Sequence, residues 1–206
     1  MSLKQLTIGY PSRPTGGCPL PRDFSISNNE IATPKLDGHR VLVSPHDWIF
    51  YNRKKQPYTN ISRVQAEVVK GELERIHGVL WWDIEFIPYG VNAGMFMIID
   101  CIIDNEDAYY HERRSKYVSW FPEIDCEVGT VLSSPYSSQG FITPIWVTTK
   151  GARVNYGRMR IEATSLALEG KLSIWEGIVV KHASSPYSLT DKQSQNMNME
   201  VKYKFR

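Results

Sequence analysis

"TPKLDGHRVLV", residues 33–43, places a lysine, an aspartate, a glycine and an arginine within six residues, directly ahead of an apolar run. A strand end that carries both charge signs and a glycine can be a solvated turn. It can equally be a nucleophile with its positioning groups. An amine attacks only when neutral, and the reference lysine pKa is about 10.4. Neighbouring cations disfavour the ammonium form and lower that value. Arg40, Lys181, Lys202 and Lys204 are the cations available if folding gathers them around Lys35. Lys35 and Asp37 are two apart, so on a strand they share a face. Gly38 then permits a tight turn or the close approach of a phosphate. Taken alone, the hexapeptide fits a charged turn better than a site.

Three other segments pose the same choice. In "WEGIVVKH" (175–182) Glu176 stands beside Gly177, where it can reach a metal or a ribose without crowding. Strict alternation puts Glu176 and Lys181 on opposite faces, unless Gly177 marks a bulge. In "VKYKFR" (201–206) Lys202 and Lys204 share a strand face, with Val201, Tyr203 and Phe205 on the other. Two ammonium groups side by side repel unless an anion joins them, and phosphate is the obvious one. A solvated basic edge strand is the plainer reading. In "WWDIEFIPYG" (81–90) Asp83 and Glu85 alternate onto one face of an apolar strand. Carboxylates so placed suit ribose hydroxyls or Mg²⁺; a half-exposed strand would look the same.

Length and composition narrow the classes. The 206 residues are 42% hydrophobic and 12% aromatic, ample for a folded core. A net charge of +2, from 24 basic and 22 acidic residues, excludes a grossly basic coat protein but leaves room for a local basic groove. Cys18, Cys101 and Cys126 have neither disulfide-framework nor zinc-knuckle spacing. The five histidines show no i, i+4 ligand pattern. The N-terminus lacks a signal-like apolar core, and no run approaches the roughly 20 apolar residues that cross a bilayer. The expectation is a soluble protein with no membrane partner in a reducing compartment: cytoplasmic, or host cytoplasm or nucleus if viral.

Residues 1–30, rich in Pro, Gly, Ser and Asn, read as an irregular arm packed on a domain that fills 31–206. From Ile31 onward short runs rich in Val, Ile, Trp, Tyr and Phe alternate with turn residues and read as strands. Helical periodicity marks 61–76, 106–121 and 157–170. Strand-heavy order with helices between antiparallel-type runs predicts an α+β fold rather than a doubly wound one. The chain stops directly after "VKYKFR", which leaves no room for a further C-terminal domain.

Each segment is weak evidence, but their order is specific. Lys-x-Asp-Gly-x-Arg is followed by an aromatic-Asn-Arg turn, x-Glu on a strand, and an aromatic-rich strand ending in Asp. Glu-Arg-Arg, Glu-Gly-x-Val-x-Lys and Lys-x-Lys complete the series. Over residues 31–206 this resembles the covalent nucleotidyltransferases: ATP-dependent DNA ligases, RNA ligases and messenger-RNA capping guanylyltransferases. The resemblance implies an ATP-grasp-like nucleotidyltransferase domain of antiparallel sheets flanked by helices. Lys35 matches the lysine that becomes nucleotidylated, and Asp37 and Arg40 complete its motif. Thr33 and Leu36 flank that lysine at the nucleotide. Arg53 resembles an arginine on the nucleotide or nucleic-acid end, Glu85 the glutamate that holds the ribose, and Phe96 the aromatic that stacks on the purine. Glu176 resembles a metal-associated glutamate, Lys181 a nucleotide contact, and Lys202 and Lys204 the lysines on the α-phosphate. Lys54, Lys55, Arg113 and Arg114 are the implied nucleic-acid contacts. "SSPYSLTDKQS" (184–194) resembles the Ser-Pro-Tyr loop of DNA ligases.

Three departures stand out. Thr33 replaces a glutamate that often precedes the lysine by two, Ile84 replaces a glycine, and no OB-type domain follows. Either that domain is missing or separate, or handling the leaving pyrophosphate falls to the N-terminal arm, with Arg13 and Arg22. The implied activity is an ATP-dependent polynucleotide ligase, DNA favoured and RNA close behind. It would work through a lysyl-AMP intermediate with Mg²⁺ or Mn²⁺, as a monomer, on nucleic acid with 5′-phosphate and 3′-hydroxyl ends. The alternatives are a capping guanylyltransferase that uses GTP and a non-catalytic nucleotide- or nucleic-acid-binding module.

Overall fold

The computed structural model describes residues 9–11, 13–90, 93–105, 107–118, 124–125, 141–142, 144–145, 149–187, 189–190 and 196–205. Cys126, part of the 141–149 segment and much of the 184–194 loop lie outside them.

The opening stretch is a corner between two sheets. β3 (Glu30–Leu36) belongs to a four-stranded sheet with β2 (Arg13–Gly16), β11 (Trp175–His182) and β13 (Asn196–Lys204), in the order β2-β13-β11-β3. β4 (His39–Val43) belongs to a five-stranded sheet with β5 (Phe50–Asn52), β6 (Val79–Phe86), β7 (Phe96–Ile103) and β9 (Phe141–Ile142), in the order β5-β4-β6-β7-β9. Asp37 and Gly38 join the two. A Cβ on Gly38 would stand 2.6 Å from the Phe86 carbonyl oxygen, so the glycine is needed for the approach of β6.

Within these two sheets pairing is antiparallel except for β2–β13 and β7–β9. Two short pairs complete the strands: β1 (Tyr10–Pro11) with β12 (Leu189–Thr190), and β8 (Ile124–Asp125) with β10 (Pro144–Ile145). The helices are α1 (Arg63–Leu73), α2 (Tyr110–Val118) and α3 (Thr149–Leu168). This is the expected α+β arrangement. The expected irregular arm is partly ordered, because β1 and β2 lie within it. Its Pro-Gly composition hides strands that are held by backbone pairing at sheet edges rather than by an apolar face.

Two cores explain the layering. α1 starts at a capping box, with the Ser62 hydroxyl accepting from the Gln65 N–H at 3.3 Å and the Ser62 N–H donating to the Gln65 amide oxygen at 2.9 Å. It buries Val69 and Leu73 against Trp82, Phe86, Phe96 and Ile98 of the five-stranded sheet. α3 buries Ala152, Tyr156 and Met159 against Ala32, Leu36, Ile178 and Val180 of the four-stranded sheet. It begins eight residues before the expected 157, because these contacts outweigh the poor helix propensity of Gly151 and Gly157. Period-2 alternation leaves the other face of the four-stranded sheet, with Thr33, Lys35, Val179, Lys181, Lys202 and Lys204, looking into the space between the sheets.

Glu176 joins that face through a bulge. The register between β11 and β3 shifts between Trp175 and Gly177, so Trp175 points to α3 and Glu176 to the opposite side. Gly177 has φ +153°, and a Cβ there would meet the Tyr203 carbonyl oxygen at 1.9 Å. Gly177→Ala is therefore expected to lower unfolding free energy by at least the ~1–3 kcal/mol typical of overpacking, measured by urea denaturation.

Candidate active site

A cleft of roughly 680 Å³ opens between the sheets, within the range of small-ligand sites. Strand register arranges one wall as a grid. Lys35, Gly177 and Lys204 are cross-strand neighbours on β3, β11 and β13; Thr33, Val179 and Lys202 form the next row; Ile31, Lys181 and Glu200 the third. The facing wall carries Arg40 and Glu85, paired across β4 and β6, with Met97 and Ile99 from β7. The turn after β5 adds Arg53 and Lys54, both exposed, and the arm adds Pro11 and Arg13. Lys35, Asp37, Arg40, Thr33, Glu85, Glu176, Lys181, Lys202 and Lys204, which are up to 171 residues apart in sequence, thus border one cavity.

Ion pairing organises its floor. The Glu176 carboxylate accepts from the Lys35 ammonium through one oxygen and from Lys204 through the other. All three side chains are only partly exposed, at 23%, 24% and 34% for Lys35, Glu176 and Lys204. Burial lowers the Lys35 pKa from its ordinary value; Arg40 lowers it further, and Glu85 and Asp37 act the other way. Lys202 is lowered by burial, then by Lys35 and Arg13. Lys204 is lowered by burial and by Lys35, with Asp37 opposing. Burial and a neighbouring cation thus act in the same direction on all three amines: Arg40 on Lys35, and Lys35 on Lys202 and Lys204.

Glu85 is pushed the other way. Burial raises its carboxyl to about 7, with Lys35 and Arg40 pulling it back. Arg40 forms two bonds to Asp83, at 2.8 and 2.5 Å, and Asp83 also accepts from the Tyr187 hydroxyl at 2.7 Å. Asp83 is thus spent on fixing Arg40, and is not the free ribose or metal ligand the alternation suggested. Asp37 stands past the end of β3; its N–H donates to the Ile174 carbonyl at 2.7 Å, and its own carbonyl accepts from Tyr89. At the deep end, Lys181 lies 3.4 Å from Asp100 and 3.7 Å from Glu200, and 4.6 Å from the Tyr110 ring centroid. Burial works against its charge, but Glu200 and Asp100 outweigh it and hold the ammonium well above its usual range.

Several expected contacts fall elsewhere. Phe96 is 1% exposed and packs 5.0 Å from Phe86 in the α1-side core, so it lies outside the cleft. Alternation along β7 turns Met97 and Ile99 to the cleft instead, and an aliphatic wall takes the place of the expected aromatic. Arg113 is 2% exposed and is not a surface contact for nucleic acid. It binds Asp100 through Nε and Nη2 at 2.8 and 2.9 Å and the carbonyls of Ala108 and Ser185 through Nη1. Arg114 is half-buried on α2, away from the cleft lining. Leu36 borders the cleft but is 3% exposed and packs in the α3-side core. Arg22, offered for the leaving group, is also outside the lining; its carbonyl accepts from Arg153.

Sequence reasoning missed the supports. Tyr187 ties Asp83 to the loop after β11 and lies 5.6 Å from the Arg113 guanidinium, and Asp100 neutralises two buried cations at once. The Ser-Pro-Tyr wording flagged that loop, but nothing in its composition specified the partners. Among the described residues no group of three His, Cys, Asp or Glu side chains is placed to hold a metal alone.

No protein-family model and no curated protein matches the chain. Solved structures do. The ligase domain of Mycobacterium tuberculosis LigD superposes with a TM-score of 0.56 at 13% identity, over 95% of this chain and 59% of that one. A mycobacterial DNA ligase D complexed with ATP and MES gives 0.54 at 14% identity, over 95% and 60%. The chain therefore spans about three fifths of the length of these ligase structures.

The raised Glu85 carboxyl makes a pH signature. Unfolded, it titrates near 4.5; folded, near 7. Between these values the folded state holds the extra proton, so this group's stabilising contribution, complete below about 4.5, is lost as pH rises through 7. Denaturation midpoints measured from pH 4.5 to 8 should show that loss, and Glu85→Gln should flatten it.

Proposed function

We propose that this chain, which has the ligase-type nucleotidyltransferase fold, is an ATP-dependent polynucleotide ligase that works through a covalent lysyl-AMP. The observation that carries the reading is the row Lys35–Glu176–Lys204 with Lys202 beside it: a depressed amine among cations on the floor of a nucleotide-sized cleft. The superposed ligase D complexed with ATP supports the choice of nucleotide.

In the proposed reaction Lys35 gives its proton to water, and the freed lone pair attacks the α-phosphorus of ATP. The N–P bond forms as the P–O bond to pyrophosphate breaks, and pyrophosphate leaves with the electron pair. Lys202 and Lys204 stabilise the charge that develops on the α-phosphate oxygens, the usual main electrostatic contribution. Glu85 accepts from ribose hydroxyls, and Arg40, clamped by Asp83, keeps the facing wall positive. Mg²⁺ arrives with phosphates and needs only one or two protein carboxylates; Glu176 fits that requirement, and the ion would neutralise phosphate charge. In the second step a 5′-phosphate oxygen attacks the adenylate phosphorus and frees Lys35. In the third a 3′-hydroxyl attacks the 5′-phosphorus and AMP leaves. DNA is the favoured substrate, since one of the superposed structures is a DNA ligase by name. Arg53 and Lys54, exposed at the rim, are placed to meet the incoming phosphate backbone.

Incubation with ATP and Mg²⁺ should add one AMP mass to the chain, on the peptide that contains Lys35, and Lys35→Ala should abolish it. Labelling by GTP instead would point to a capping guanylyltransferase, and labelling by neither to a binding module. Sealing assays on nicked DNA and nicked RNA, run in parallel, then assign the substrate.

A further inference from the structure

The cleft holds more positive charge than the α-phosphate step uses. Glu176 is shared by Lys35 and Lys204. Arg40 is matched by Asp83, and Lys181 by Asp100 and Glu200. Lys202 serves the α-phosphate in the proposed reaction. Arg13, like Arg53 and Lys54 at the rim of the opposite wall, forms no ion pair with a carboxylate among the described residues. Arg13 is the one of these three whose charge acts on the Lys202 ammonium.

The fold holds their strands together by several contacts. β2 runs parallel to β13, with Arg13 opposite Asn196 and, after a register shift that brings the lysine strand forward, Thr15 opposite Val201 and Gly16 opposite Lys202. The Thr15 hydroxyl donates to the Glu200 carbonyl at 3.0 Å. Gly16 sits at φ +82°, and a Cβ there would meet the Lys202 carbonyl oxygen at 2.9 Å, so the arm is pressed against the lysine strand. On its other side the arm reaches the facing wall, where the Lys55 ammonium lies 4.3 Å from the centroid of the Tyr10 ring. Pro11, Arg13 and Pro14 consequently border the cleft as a strap. In sheet order Arg13 lies beyond Lys202 and Lys204 on the side away from Lys35 (β3, β11, β13, β2), which is where a group leaving opposite the attacking amine must go.

We propose that Arg13, carried on the N-terminal strap, forms with Lys202 a subsite for the β- and γ-phosphates of ATP and for the departing pyrophosphate. The inference rests on the nucleotidyltransferase reading above and assigns the leaving-group end of that site. An arginine suits the role because its planar fork binds two phosphate oxygens at once.

The test compares ligands with and without the two outer phosphates. Equilibrium binding of ATP and of AMP is measured on the full chain and on Arg13→Ala, at fixed low salt. The expected result is a tenfold or greater rise in Kd for ATP with AMP unchanged within twofold, and partial recovery of ATP affinity in Arg13→Lys. Equal weakening of both ligands would show that Arg13 only holds the strap in place, and no change in either would show that the phosphates lie elsewhere; both overturn the assignment. Arg53→Ala, on the opposite wall, serves as the competing variant, and an ATP-selective loss there but not at Arg13 also overturns it. Mass labelling of Lys35 by ATP in the unaltered chain is read alongside. Labelling with an unresponsive Arg13 sinks this subsite alone, whereas no labelling and no ATP binding sinks the parent reading with it.

Discussion

One carboxylate shared by two ammonium groups holds this cleft together. Lys35 and Lys204 lie in the same cross-strand row with Glu176 between them, and Lys202 is one row away. At a strand spacing of about 5 Å and an effective dielectric near 20, two like charges repel by roughly 3 kcal/mol. A sheet face with three lysines is therefore unfavourable without an anion, and Glu176 supplies it. The carboxylate can reach both lysines only because Gly177 inserts a bulge and lets the Tyr203 carbonyl approach where any side chain would collide. Backbone geometry at one glycine thus decides the electrostatics of the site.

The second constraint is the corner at Asp37–Gly38, which sends the chain from one sheet to the other within two residues of Lys35. Lys35 and Arg40 consequently sit on opposite walls although they are five apart in sequence. Behind the walls, two buried charge networks keep the cations oriented: Arg40–Asp83–Tyr187 on one side and Arg113–Asp100–Lys181 on the other. Burying charge is unfavourable unless every partner is present, so these networks fix side-chain position at the expense of tolerance to substitution. They explain why Arg113, which looks like a surface arginine in sequence, is inaccessible.

The α+β class, most strands, the shared face of Lys202 and Lys204, and the gathering of Lys35, Glu176, Lys202 and Lys204 were legible because they follow from period-2 alternation and from motif order; which strands pair was not, since backbone pairing leaves no mark in composition. The Glu176 face was legible only conditionally, since the bulge depends on the tertiary approach of Tyr203. The burial of Phe96 was hidden because its motif position carries no phase, and alternation counted from Asp100 does not supply one, since the pairing of β6 with β7 is irregular between Asp83 and Ile84. The strands in the arm were hidden because edge pairing by backbone leaves no apolar pattern. The buried pairs of Asp100 were hidden because their members come from β7, α2 and β11, and charge type alone does not say which charges will meet.

The central claim is that Lys35 is an amine of depressed basicity, held among cations in the cleft. The most direct measurement is the pH dependence of its reaction with a small acylating reagent, followed by mass spectrometry of the Lys35 peptide alongside peptides carrying exposed lysines such as Lys54 and Lys171. The account predicts a Lys35 titration midpoint clearly below those of the exposed lysines. A midpoint equal to or above theirs would contradict it.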